Sequence, residues 1–181
     1  EMIQLEFSNG KKKIIVATSL HKSDDILAKY CKNNKISYYR GSQIDVASRF
    51  IQIMASKSLE CFVRICGDSP LIDPNIINRA ITLFENTDCD LLSNTNPRTF
   101  PKGQSVEIIK KTIFNTSYQN FNISDKEHVT KYFYKNSSTY RIASFISDQK
   151  CSDVKLSIDE KDDYINIYNI IKKTNGKPPL K

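Results

Sequence analysis

Short apolar runs alternate with segments of helical spacing along most of this chain, and that alternation restricts it to the α/β class. Ile14–Ala17, Ile36–Tyr39, Cys61–Cys66, Cys89–Leu92 and Val106–Ile109 read as strands. Between them, Ile26, Leu27, Tyr30 and Cys31 share one helical face behind Ser23 as N-cap, and Val46, Phe50, Ile53 and Met54 share another. Asp73 before Pro74 predicts an N-cap and first helical residue, followed by the stripe Ile76, Ile77, Ala80, Ile81 and Phe84. Residues 94–103 read as a turn-rich loop, 124–135 as a helix, 139–146 and 154–158 as strands, and 160–173 as the last helix. The short links predict a mainly parallel sheet, with an antiparallel component or a small extension where the later strands crowd together.

The 181 residues suit one domain over 1–181 with a sizeable core. No apolar run approaches the length needed to span a bilayer and no signal peptide opens the sequence, so a cytoplasmic protein is the expectation. Five scattered cysteines (31, 61, 66, 89, 151) contain no C-x-x-C pair and read as small core residues rather than a zinc site. The formal charge of +7 is carried mostly by lysines, including Lys11–Lys13, Lys110-Lys111 and Lys172-Lys173. No aromatic-and-basic stripe accompanies them, which argues against nucleic acid as a partner. A mild positive field instead favours anionic small molecules such as nucleotides or sugar acids.

The stretch RICGDSPLIDP, residues 64–74, places Gly67 and then Asp68 just past the end of a buried-looking strand. In open α/β sheets the ligand crevice lies beyond the carboxyl ends of the strands. Gly67 lets the backbone turn and approach a ligand, and a carboxylate there can hold Mg²⁺, which takes oxygen ligands at roughly 2.1 Å. The plain alternative is that Asp68 caps an Asp-Ser-Pro turn. Asp159, after VKLSI, stands at a second strand end and would also serve as N-cap of the last helix. Two strand-end aspartates facing one crevice form a metal site suited to phosphoryl or nucleotidyl transfer.

The blocks IIVATS, YYRGSQIDVASRF, VRICGDSPLIDPNII, DLLSNTNPRTFPKGQSVEI, DKEHVTKYFY and VKLSIDEKDDY occur in an order that resembles one family. It is the acylneuraminate and spore-coat-polysaccharide cytidylyltransferase family, and the similarity runs over nearly the whole chain. The resemblance implies a Rossmann-like nucleotidyltransferase fold, a three-layer αβα sandwich with a mainly parallel mixed sheet. It also implies CTP and a sugar as substrates, Mg²⁺ as cofactor and a CMP-sugar as product, and leaves a homodimer open. By the same resemblance Asp68 and Asp159 would bind the metal, and Arg40, Ser42, Arg64 and Gly67 the nucleotide. Arg98, Gln104, Glu127 and His128 would face the acceptor sugar. Each has a plainer reading: a turn for Arg40 and Ser42, a structural acid partner for Arg64, a surface arginine for Arg98. Glu127 closes a Ser124–Glu127 capping box, His128 is a satisfied helical histidine, and His21 carries no role.

The family pattern opens with a strand and a Gly-, Arg- and Lys-bearing loop that wraps the triphosphate with backbone amides. Glycines stand here at 10, 41, 67, 103 and 176, none in such a block, and Glu1 falls in what would be the tail of the first helix. The sequence thus reads as a fragment, or a variant, without that first unit, with a sheet edge exposed in its place. The expected function is transfer of CMP from CTP to a sugar acid or related sugar, with release of pyrophosphate, for cell-surface glycan synthesis. Two alternatives stand beside it. One is a non-catalytic nucleotide-binding remnant or regulatory module; the other is a metal-dependent glycosyltransferase, whose Asp-x-Asp string Asp88-Cys89-Asp90 fits.

Overall fold

The alternation of the sequence is realised as seven strands and seven helices in a computed structural model that describes residues 2–8, 11–56 and 59–174. Gly10 and Gly176 lie outside the described residues, as do the side chains of Lys11–Lys13. The chain divides into two compact units, residues 1–64 with 109–141 and residues 65–108 with 142–181.

The first unit begins with a difference from expectation. Residues read as the tail of a helix form strand β1 (Met2–Ser8), antiparallel to β2 (Lys11–Ser19) with Met2 opposite Ala17 and Ser8 opposite Lys11. β3 (Ser37–Gly41) runs parallel to β2 on its other side, Ile15 opposite Ser37, and β4 (Cys61–Cys66), which starts in this unit, follows β1. The edge expected to lie open beside β2 is therefore filled.

Helix α1 (Asp25–Asn33) does not start at Ser23. A 3-10 turn, Lys22–Asp24, precedes it, and the His21 ring accepts the Ser23 N–H. Helix α2 (Val46–Ala55) is capped by Asp45, whose Oδ1 accepts the Ser48 N–H at 2.9 Å. Phe50 of α2, Phe62 of β4 and Phe114 of α4 (Lys111–Tyr118) meet at centroid distances of 5.0 to 6.4 Å, and Phe121 and Phe133 extend this aromatic core. The edge-on pairs among them, such as Phe62 with Phe114, add to the burial of large apolar side chains.

The helix expected over 124–135 is broken in two: α5 (Ile123–His128) and α6 (Lys131–Lys135). The capping box is Asn122 with Asp125, not Ser124 with Glu127. Between the helices Val129 adopts φ 48° and ψ −55°, and the Thr130 N–H donates to the His128 carbonyl. That is a γ-turn of the strained hand, rare for any residue and rarer for a β-branched one.

In the second unit β6 (Glu107–Lys110), which starts here, neighbours β5 (Leu91–Ser93), and β5 pairs in parallel with β7 (Ile142–Ser144). Helix α3 (Pro74–Glu85) begins as its sequence predicts: Asp73 Oδ1 accepts the Asn75 N–H at 2.8 Å, Pro74 takes the first position, and Ile76, Ala80 and Ile81 are buried. Residues 154–158, expected as a strand, make a single bridge, Lys155 with Lys102. They are still pinned at two points. The Leu156 N–H donates to the Lys102 carbonyl at 2.7 Å and the Ile158 N–H to the Asp68 carbonyl at 2.8 Å. Leu71, Leu156 and Ile167 of α7 (Lys161–Thr174) form a small apolar core. Among the described residues no helix is long and apolar enough to cross a membrane.

Candidate functional site

The residues to be located fall into both units, and each group is built by its own surroundings. In the second unit, Cys61–Cys66 runs out into an exposed turn carrying Gly67 and Asp68. Among the described residues the glycine in the left-handed region is Gly103 (φ 92°), so Gly67 turns without it. The Asp68 carboxylate accepts from Ser69 Oγ at 2.8 Å, and its backbone carbonyl takes the Ile158 N–H. Asp159 is the next residue along, so the backbone brings the two aspartates into adjacency and both are exposed.

Asp159 does not cap α7 in the way its position suggests. The capping acceptor is Asp163, whose Oδ2 takes the Asp159 N–H at 3.0 Å and the Glu160 N–H at 2.9 Å. The Asp159 carboxylate instead pairs with Lys155 Nζ at 2.9 Å and accepts from Ser157 Oγ at 3.3 Å. Lys155 also reaches Asp163 at 2.6 Å. The lysine's hydrogen bond to Asp163 holds that carboxyl below its usual range, helped by the two amides, while Asp163 and then Asp159 raise the lysine.

Among the described residues no group of three or more His, Cys, Asp or Glu side chains is arranged to hold a metal. Two exposed aspartates whose backbones meet are of the chemical type that suits Mg²⁺, a hard cation that keeps several waters and is bound through one or two carboxylates with substrate phosphates. The Asp-x-Asp string fits less well, because Asp88 is exposed while Asp90 is buried ahead of β5.

Arg98 is half-buried in the 94–103 loop, where Nη1 donates to Ser105 Oγ at 3.2 Å and its backbone bridges Thr95. Gln104 corrects an expectation. It is 0% exposed, its Oε1 accepts the Asp73 N–H at 2.8 Å, and its Nε2 donates to the Leu71 carbonyl at 2.7 Å. Each end of the amide makes a bond that ties the loop to the start of α3, and with no exposed surface Gln104 stands in this structure as a strut rather than facing a sugar. Gly103 is equally fixed, since a Cβ there would meet the Leu156 carbonyl carbon at 2.5 Å.

In the first unit, Arg40 closes β3 and turns back to the end of β2. Its Nε donates to the Ser19 carbonyl at 2.8 Å, and its Nη2 lies 2.7 Å from Asp25. Ser42 is exposed and its Oγ accepts the Asp45 N–H. Arg64 is half-buried on β4. Glu127 and His128 are both exposed at the last turn of α5, where the γ-turn at Val129 ends the helix.

Three supports in this unit escape a residue-by-residue reading of the sequence. Asp24 accepts from Thr18 Oγ1, Ser19 N and Ser19 Oγ at 2.7, 2.9 and 2.6 Å. The Ser19 hydroxyl leads in holding this carboxyl well below the usual range, against a partial burial that works the other way. Arg49, 6% exposed, donates to the carbonyls of Ser42, Gln43 and Ala17 and so fastens the 42–43 loop to β2. Burial pulls its pKa downward while the Asp24 charge opposes that. Asp45 accepts from Tyr118 Oη at 2.7 Å and lies 3.3 Å from Lys126. Burial first, and that hydrogen bond second, push the Tyr118 phenol up to about 12. Spacing offered one clue: Lys155, Asp159 and Asp163 recur every fourth residue, as a cation and two anions on one stretch would.

Comparison with known proteins bears on the family and the fold. The family model described as cytidylyltransferase matches residues 4–178. The chain is similar to the spore coat polysaccharide biosynthesis protein SpsF of Bacillus subtilis strain 168, at 24% identity over 178 residues, 96% of this chain and 73% of that protein. It is similar to an uncharacterised protein of Methanocaldococcus jannaschii at 28% identity over 154 residues, 83% of this chain and 62% of that one. Its fold resembles the solved structure of a cytidylyltransferase from Leptospira borgpetersenii serovar Hardjo-bovis, with a TM-score of 0.81 at 23% identity over 97% of this chain and 82% of that one. The mixed α/β architecture is accordingly Rossmann-like, and with a match across almost its full length the chain belongs to the cytidylyltransferase family of nucleotidyltransferases.

Proposed function

We propose that this protein transfers CMP from CTP to a hydroxyl of a sugar acid or related sugar, with release of pyrophosphate. The observation that supports it most is the 2.8 Å hydrogen bond from Ile158 N to the Asp68 carbonyl, which seats Asp159 beside Asp68 within a cytidylyltransferase-family chain. The relative named for spore coat polysaccharide biosynthesis favours a glycan as the destination of the product.

In this reading the acceptor oxygen bonds to the α-phosphorus in line, the bond from that phosphorus to the bridging oxygen breaks, and pyrophosphate departs. Asp68 and Asp159 would hold Mg²⁺, whose charge would neutralise that of the phosphates. Arg40, Ser42, Arg64 and Gly67 are assigned to the nucleotide, and Arg98, Glu127 and His128 to the acceptor. Their contribution is positioning and charge compensation rather than covalent chemistry. Gln104 serves the reaction only by holding the 94–103 loop.

The test is pyrophosphate release from CTP and Mg²⁺ by the full-length protein across a panel of sugar acids. Asp68→Asn is expected to lower turnover by about 10²–10³-fold or more, with the circular dichroism spectrum unchanged. Undiminished turnover in Asp68→Asn removes the metal assignment.

A further inference from the structure

Lys155 stands in an unusual position, because one of the two carboxylates beside it, Asp159, is read as a metal ligand. Its ammonium is 2.9 Å from Asp159 and 2.6 Å from Asp163, and its backbone is pinned by the bridge to Lys102. The two anions are not equivalent. Asp163 is committed, because the same Oδ2 that meets Lys155 also accepts the Asp159 and Glu160 amides and so closes the first turn of α7. The Asp159 side chain is 54% exposed and, among the described residues, is held besides the lysine only by a long bond from Ser157 Oγ at 3.3 Å. If Asp159 swings toward a cation, Lys155 keeps a full partner in Asp163. Asp163 and Lys155 thus form a fixed pair, and Asp159 is the member that can exchange.

We propose that Lys155 is a built-in competitor for the metal: its ammonium occupies the Asp159 carboxylate until a divalent cation displaces it, after which Lys155 rests on Asp163 alone. This rests on the reading of Asp68 and Asp159 as metal ligands and adds to it a control on affinity. An ammonium on the carboxylate lowers affinity for the bare ion, so occupancy depends more heavily on the phosphate oxygens of a bound nucleotide. The competition is modest in size, because exposed ion pairs are weak.

The experiment measures binding of Mn²⁺ alone to the full chain by electron paramagnetic resonance, which needs no turnover. Lys155→Met is expected to tighten Mn²⁺ binding about two- to five-fold, while Lys155→Arg stays within about twofold of the parent protein because it restores the cation. Asp163→Asn, which leaves the lysine to Asp159, is expected to weaken Mn²⁺ binding. These opposite signs separate competition from a purely structural role, in which losing either partner would loosen α7 and weaken binding in both variants. Weaker or unchanged Mn²⁺ binding in Lys155→Met, with the fold intact by circular dichroism, overturns the proposal. Mn²⁺ binding that is indifferent to Asp159→Asn, or undetectable in the parent, overturns the metal reading beneath it instead.

Discussion

Asp24 illustrates how a single carboxylate organises a strand end. Three donors from Thr18 and Ser19 converge on one oxygen, so ionisation is favoured in the folded chain and far less in the unfolded one. A carboxyl whose folded pKa is depressed contributes stability that is present above its unfolded value of about 3.9 and lost as pH falls below it. Asp24→Asn is expected to cost about 1–2 kcal/mol at pH 7, moderated because the site is only partly buried. It should also flatten the acid limb of a stability–pH curve below about pH 4. Urea titrations from pH 2.5 to 7 decide this; an unchanged acid limb in the variant would remove Asp24 from that role. This role of Asp24 was not legible in the sequence, since its partners lie across a bend that nothing local announces. Lys155 is the converse, because its spacing of four to Asp159 and eight to Asp163 was visible but had no meaning before the helix start was known.

At the scale of elements, the starts of helices were legible where the signal is local and single. Asp73-Pro74 fixes α3 because the side chain caps and the ring suits the first position. Where two capping signals overlap, as at Asn122 and Ser124, pattern alone chose the wrong one, and the break after His128 was hidden because valine has no preference for positive φ. Gln104 was misread for a different reason. Its partners, Leu71 and Asp73, lie more than thirty residues away, and only the folded chain makes it a strut. Removing it leaves a buried N–H and a buried carbonyl without their partner. Gln104→Ala is expected to lower unfolding free energy by about 2–4 kcal/mol, seen as a lower urea midpoint with an unchanged slope. A loss under about 0.5 kcal/mol would show that water replaces the amide and the strut is dispensable.

For the whole molecule, the alternation of strand and helix carried the α/β class, and ordered blocks carried the family. β1 was not legible, since a strand and a helix tail of seven residues look alike in so short a piece. The net charge of +7 belongs to this scale too. A tetra-anionic nucleotide should bind less tightly as salt rises, by about three- to ten-fold in affinity between 0.05 and 0.5 M NaCl, because the Debye length shrinks from above 10 Å to a few ångströms. Calorimetric titration with CTP and Mg²⁺ measures this, and a salt-independent affinity would restrict the electrostatics to short-range contacts. One feature sets a wider constraint. The backbone of Leu156 fills the space that any side chain at position 103 would need. The segment bearing Arg98 and the segment bearing Asp159 are therefore locked in step at that crossing, and inserting a residue there would throw both out of alignment. Descendants of this chain can diversify by recolouring the residues before Gly103, whereas Gly103 itself and the short step from Leu156 to Asp159 are held as a fixed gauge.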